Sequence, residues 1–253
     1  MSEQYNQVVA SHYAAYRPPF HQMILGRVLS NQEAFANGLD IGCGTGYSAI
    51  ALTKYCQHVH AIDPSQSMLD RATKHEKVIY LKGAGDSIPL LDSSIDIVTF
   101  AGSLFYAKTE ATVKELKRVC RSEAIIIPYD FEILLEESLQ QWGIDAQKTQ
   151  SAYDHRINFS DISSFTELMV ESERVNLKVA AFEFAHILLS SLQRYRAFAD
   201  KYCVLDPFPL LVSELKTDAQ FLLGANIYYA KYQCTDKRSQ KSMSSVVKNT
   251  NSR

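Results

Sequence analysis

The chain has 253 residues, 46% of them hydrophobic and 21% charged, with a formal net charge of −2. This is ordinary globular composition, long enough for a single α/β domain to bury a core, and its charge balance excludes a wholesale polyanion binder. Five widely spaced cysteines (Cys43, Cys56, Cys120, Cys203 and Cys234) include no C-x-x-C, which predicts reduced thiols in a cytoplasm rather than a disulfide framework or a zinc site.

The start, MSEQYNQVVASHY, lacks a basic head followed by an apolar run, and no stretch of 18 apolar residues predicts a membrane span. Residues 1–17 read as a polar, partly helical lead-in closed by Pro18-Pro19. Phe20–Leu29 then has helical spacing. Asn37-Gly38 predicts a turn before a strand at Leu39–Cys43. Tyr47–Tyr55 reads as a helix, His58–Asp63 as a strand and Ser65–His75 as a helix. Strands follow at Val78–Leu81 and Ile95–Ala101, then a helix at Ala111–Cys120 and a strand at Ala124–Tyr129. Such alternation predicts a parallel sheet covered on both faces.

The rhythm changes after Asp130. Glu132–Trp142 reads as an acidic helix, Gln147–Ser160 as a polar stretch rich in Tyr, Asp and His, and Asp161–Glu171 as another helix. Arg174–Leu189 mixes signals, with a strand near its start. Helices at Leu192–Tyr202 and Leu210–Lys216 precede a last strand at Phe221–Tyr232. Residues 235–253 hold five basic residues against one acid, so the acidic excess lies in the rest of the chain. This tail has no periodicity and reads as disordered.

The sharpest local signal is Leu39-Asp40-Ile41-Gly42-Cys43-Gly44-Thr45-Gly46, between a strand and a helix. Glycines there permit positive φ and let a ligand approach bare backbone. The next strand ends in Asp63, 21 residues after Gly42, a position suited to a ribose diol. A nicotinamide or flavin dinucleotide uses a similar bend, but two residues oppose it. Asp40 would repel a pyrophosphate, whereas it favours the ammonium and sulfonium of S-adenosylmethionine (SAM). Tyr47 stands where the dinucleotide fingerprint needs glycine or alanine.

The runs LDIGCGTG, AIDPS and IPLLDSSIDIVTFAGSLFY, with Tyr16-Arg17-Pro18-Pro19 upstream, resemble the class I SAM-dependent methyltransferases, and most closely their small-molecule branch. The similarity covers about residues 10–130. It implies a Rossmann-like, mostly parallel seven-stranded sheet with helices on both faces, its last strand antiparallel. It further implies one methyltransferase domain over residues 1–234, with a helical lid inserted at about 132–172. By the same resemblance, Asp40, Gly42, Gly44 and Gly46 meet the methionine part of the cofactor. Asp63 holds the ribose, Pro64 and Ser65 lead into the next helix, and Met68 lies near the adenine. The Gly83–Pro89 segment passes the adenine edge. There the family pattern G-D-A-E places Ala84 at the first acid and Asp86 at the glutamate, so a backbone contact from Ala84 or Gly85, or the Asp86 carboxylate, takes over the adenine contact. Arg17 meets the cofactor carboxylate and, with Tyr13, closes one side.

The candidates for a base are Tyr106, His155 and the pair Tyr129-Asp130, chosen by position and type. His58 and His60 share a strand face, but no third ligand predicts a metal site. The expected function is methyl transfer from SAM to a small-molecule substrate, in the cytoplasm, without membrane or nucleic-acid partners. The sequence leaves the oligomeric state open. The alternatives are an RNA-modifying methyltransferase, supported by the basic tail alone, and a SAM-binding protein without turnover.

Overall fold

The computed structural model describes residues 8–9, 11–12, 15–30, 32–144, 152–215 and 220–235. Tyr13 and the basic tail beyond Thr235 lie outside them. In chain order the elements are α1 (Phe20–Val28), β1 (Phe35–Ile41), α2 (Tyr47–Leu52), β2 (Cys56–Asp63), α3 (Gln66–Leu69), β3 (Val78–Lys82), β4 (Ile95–Ala101), α4 (Leu104–Ala107), α5 (Glu110–Val119) and β5 (Cys120–Leu134). They continue with α6 (Glu136–Gln141), β6 (Phe165–Ala180), α7 (Ala181–Leu189), α8 (Leu192–Tyr202), α9 (Phe208–Glu214) and β7 (Gln220–Cys234). Seven strands form one sheet in the order β3-β2-β1-β4-β5-β7-β6. The pairs β1–β2, β1–β4, β2–β3 and β4–β5 are all parallel.

The chain divides into two compact units. The larger comprises residues 20–131, 153–172 and 228–253. Strand alternation explains its layers. Leu39 and Ile41 of β1, Val98 and Phe100 of β4 and Ile126 of β5 share one buried cluster with Leu116 and Val119 of α5. Each such side chain contributes about 1.5–3 kcal/mol on burial. The intervening residues face the other way. There Ser48 of α2 donates to Asp40, and a Cβ on Gly38 would lie 3.0 Å from Leu52 of α2. Helices therefore cover both faces, as the alternation predicts. α5 forms because Thr109 caps its start through the Thr112 N–H (3.1 Å), Glu110 sits in its first turn and Lys117 and Arg118 in its last.

Four expectations are corrected. Asn37-Gly38 is no turn but part of β1: the Asn37 N–H donates to Asp96, and glycine is required at 38 because a Cβ would come 2.8 Å from Cys56 Sγ. The helix after Asp63 stops at Leu69, since Thr73 N–H bonds back to Thr45 and draws the chain away. β5 runs on through Leu134, so the acidic helix begins at Glu136. Asp161–Glu171 is not helical: β6 starts at Phe165, and its buried positions Phe165, Val175 and Val179 all fall on the odd-numbered face, the period of a strand. Among its described residues the segment 132–172, expected as a helical lid, carries the end of β5, the short helix α6 and the start of β6, and it divides between the two units.

The smaller unit comprises residues 1–19, 132–152 and 173–227. At its centre His12 and His186, both buried, bring their Nδ1 atoms within 2.8 Å among the rings of Tyr195 and Phe208. One nitrogen must donate and the other accept, so the contact requires at least one neutral ring. Burial lowers both pKa values from 6.5; His186 lowers that of His12 further, while Asp206 opposes the shift. Below pH 6.5 the unfolded chain therefore takes up more protons than the folded one, and this contribution to stability fades as pH falls. Urea denaturation between pH 8 and pH 5 should show it. The acid-side loss should shrink in His12→Phe, and an unchanged slope would reject the pair as its source.

All five cysteines are free thiols, with Cys203 exposed and the others buried. Among the described residues no helix is long and apolar enough to cross a membrane, and no group of three or more His, Cys, Asp or Glu could hold a metal ion.

Candidate active site

The order 3-2-1-4-5 reverses direction between β1 and β4, and parallel α/β sheets bind ligands at such a switch point, beyond the strand ends. There the larger unit holds a cavity of about 410 Å³, within the range of roughly 300–1,000 Å³ usual for ligand pockets. Seven residues expected from sequence line it: Gly42, Asp63, Pro64, Ala84, Gly85, Asp86 and Tyr106. Ala101, Gly102, Ser103, Thr109 and Thr112 also line it.

The bend after β1 takes positive φ at all three glycines: +71° at Gly42, +53° at Gly44 and +91° at Gly46. Asp63 holds this bend from the neighbouring strand. Its Oδ2 accepts from Gly44 N–H (2.9 Å) and its Oδ1 from Ser65 N–H (2.8 Å). Each oxygen keeps a further lone pair, so the carboxylate can still accept from a diol. A Cβ on Gly42 would strike Ser103, whose hydroxyl donates to the Ile41 carbonyl; a Cβ on Gly44 would meet nothing within 4 Å. Gly44 does not itself line the cavity, but it leaves open space beside the Asp63 carboxylate, where a ligand could approach bare backbone.

Asp40 is placed differently from the expectation. It does not line the cavity; it is fully buried beneath the bend, accepting from Ser48 Oγ (2.5 Å) and Thr99 Oγ1 (2.7 Å). Burial pushes its pKa up to about 6 against these two hydroxyls, with Asp63 adding repulsion. It can act on a cation only through its field. Gly46 is the residue before α2, packed under Tyr80, and also lies off the cavity. Met68, 45% exposed on α3, does not line it either. Arg17 belongs to the smaller unit.

The loop expected at the adenine edge is firmly braced. Ala84 and Ser87 close a tight turn by two backbone bonds, leaving exposed Asp86 at its tip and not at a helix start. Glu115 accepts from Ile88 N–H (2.9 Å), and Arg118 donates to the carbonyls of Ile88 and Leu90. The Arg118 guanidinium also holds the Glu115 carboxyl down at about 2.

Beside the cavity, at Asp130 within β5, a carboxylate meets two side chains of a loop more than 20 residues on. His155 Nδ1 lies 2.8 Å from Asp130 Oδ2, and the Tyr153 hydroxyl lies 2.8 Å from the same oxygen and 2.7 Å from the Gly102 carbonyl. An ionised carboxylate only accepts, so His155 Nδ1 carries the hydrogen and Nε2 is left as the basic atom. His155 lines a second cavity of about 340 Å³ with Tyr129, Arg156 and Tyr228. Tyr106, 76% exposed, stays on the first cavity, 5.8 Å between ring centroids from Tyr153. His155 and Asp130 were both legible as candidates; their pairing was not, because 25 residues separate them. Tyr153 was missed, although it sits in the polar Tyr-, Asp- and His-rich stretch.

A mostly parallel sheet with a glycine bend and a strand-end acid at its switch point defines a Rossmann-like domain. Residues 39–127 match the profile of a methyltransferase domain family. A methyltransferase-designated protein of Dictyostelium discoideum is 26% identical over 127 residues, covering 50% of this chain and 48% of that protein. The malonyl-(acyl-carrier protein) O-methyltransferase of Serratia marcescens is 32% identical over 123 residues, covering 46% and 47%. A solved structure described as a type II methyltransferase from Anaeromyxobacter dehalogenans superposes with a TM-score of 0.60 at 20% identity, over 87% of this chain and 98% of that one. The chain spans about half the length of the curated relatives it matches.

Proposed function

We propose that the chain transfers a methyl group from SAM to a small-molecule acceptor whose nucleophilic atom loses a proton. The observation that carries this reading is the cavity at the sheet's switch point, where the glycine bend and the carboxylate that holds it form one wall. Gly42 and Asp63 would hold the cofactor, with Gly44 leaving room for it; Pro64, Ala84, Gly85 and Asp86 would border its base. When bound, SAM supplies an electrophilic methyl on a sulfonium. The chain's own task is then to align the acceptor, exclude water and take up the proton. His155, oriented by Asp130, is the base in this reading, and Tyr106 packs against the acceptor. The O-methyltransferase among the relatives is in keeping with an oxygen acceptor.

Titration calorimetry with S-adenosylhomocysteine (SAH) tests the cofactor site. Asp63→Ala should weaken binding by roughly 1–3 kcal/mol, the scale of a lost hydrogen bond to a charged group. Thermal denaturation would verify that the variant is folded. Equal affinity in a folded variant would remove Asp63 from the ligand site, and no heat with the wild-type protein would overturn the cofactor assignment.

A further inference from the structure

We propose that Tyr153 is a positioning residue whose hydroxyl ties Asp130 to the Gly102 carbonyl on the cofactor cavity's wall and so fixes the tautomer and orientation of His155. The inference rests on the reading of His155 as the base.

The geometry sets this role. Gly102 follows β4 with φ +68°, and a Cβ there would come 3.1 Å from Asp130 Oδ1, so the bend and the carboxylate pack directly together. Asp130 Oδ1 accepts from Phe131 N–H (2.8 Å), which leaves Oδ2 to the two side chains. Tyr153 has one hydroxyl hydrogen and two acceptors at nearly equal distance, so it bridges them. Burial and its bond to Asp130 both push its pKa up, and it stays a donor at all working pH values. Its ring is clamped between Phe105 and His155, each at 4.7 Å between ring centroids. A carboxylate anchored by Phe131 alone could turn about its Cβ–Cγ bond, and His155 would then lose the acceptor that keeps its hydrogen on Nδ1. With Tyr153 in place, a change at the Gly102 wall is passed to His155 through three hydrogen bonds, Tyr153 to Gly102, Tyr153 to Asp130 and His155 to Asp130.

Tyr153→Phe removes the hydroxyl and keeps the ring. ¹⁵N NMR of the histidine side chains should show His155 wholly as the Nδ1–H form in the wild type and as a tautomer mixture in Tyr153→Phe. Exchange of the Nδ1 hydrogen with solvent should accelerate about tenfold, the equivalent of one lost hydrogen bond. SAH affinity should change less than about twofold, and with an acceptor in hand kcat should fall while KM holds. A purely packing role for Tyr153 would leave tautomer and exchange unmoved, and that result overturns the proposal. Should Tyr153→Phe fail to fold, Asp130→Asn provides the second variant: its amide oxygen stays on the Phe131 N–H, its NH2 then faces His155 and Tyr153 as a donor, and His155 held by that bridge should turn to the Nε2–H form, whereas retention of the Nδ1–H form would overturn the proposal. Altered exchange in a protein that binds no SAH would uphold Tyr153 while refuting the methyl-transfer reading. Normal SAH binding with unaltered exchange would do the reverse.

Discussion

Asp40→Asn is expected to stabilise the protein at pH 7 by about 1–3 kcal/mol while weakening SAM binding roughly tenfold or more. The carboxyl is fully buried with only two hydroxyl donors, and its pKa stands at about 6 against 3.8 for a free aspartate. Two pH units correspond to about 3 kcal/mol against the ionised form. The sign is fixed by linkage. A folded pKa above the unfolded one means that the folded state binds the extra proton between pH 3.8 and 6. The favourable contribution is complete below pH 3.8 and is lost as pH rises through 6. Asparagine avoids this loss, and one of the hydroxyls of Ser48 and Thr99 turns to accept from its amide. The gain should therefore appear at pH 7–8 and vanish near pH 4, measured by urea denaturation at each pH. A negative charge held against its own solvation cost suits a site for a cation. SAM should accordingly bind more tightly as pH rises from 5 to 7, releasing a fraction of a proton near pH 6. A variant less stable than wild type at pH 7 would show that the two hydroxyls outweigh desolvation, and unaltered SAM affinity would show that the field of Asp40 does not reach the ligand.

Much of the sheet was legible because its strands carry β-branched residues in short runs between glycine and proline breaks. The cofactor wall was legible because its residues lie within one strand–bend–strand unit, Leu39 to Asp63, where spacing alone places them. What escaped had non-local causes. Asn37-Gly38 has the composition of a turn, yet the need for a Cβ-free contact with Cys56 keeps it in a strand. Phe165–Ala180 alternates charged and apolar residues in a way that satisfies either period, and pairing within the sheet decides it. Asp40 was read as facing the ligand because it precedes the glycines. The register that sets it opposite Thr99 on the α2 face is a tertiary fact. The Asp130–Tyr153–His155 cluster joins β5 to a loop more than 20 residues on, and no local pattern announces it.

The three glycines of the bend should separate folding from binding when each is changed to alanine. All have positive φ, which alone costs about 1–2 kcal/mol in an L-residue. At Gly42 the new methyl would lie 2.5 Å from Ser103 Cβ, an atom fixed close to the backbone, and Ser103 is itself tied to Ile41. Gly42→Ala should therefore lose about 3 kcal/mol or more of stability. At Gly46 the methyl would lie 2.0 Å from the Tyr80 hydroxyl, the free end of a ring, so the clash can be relieved once Tyr80 gives up its 2.7 Å bond to Thr73. An intermediate loss of about 2–3 kcal/mol follows. At Gly44 nothing lies within 4 Å, so only the φ cost remains. If the open side of Gly44 is where the cofactor lies, Gly44→Ala should be the most stable of the three and yet lose SAH affinity by more than its stability loss implies. Urea denaturation and calorimetry on the three variants give the two orders independently. Wild-type SAH affinity in Gly44→Ala would place the ligand elsewhere, and equal destabilisation by all three would mean that backbone strain, not contact, governs the bend.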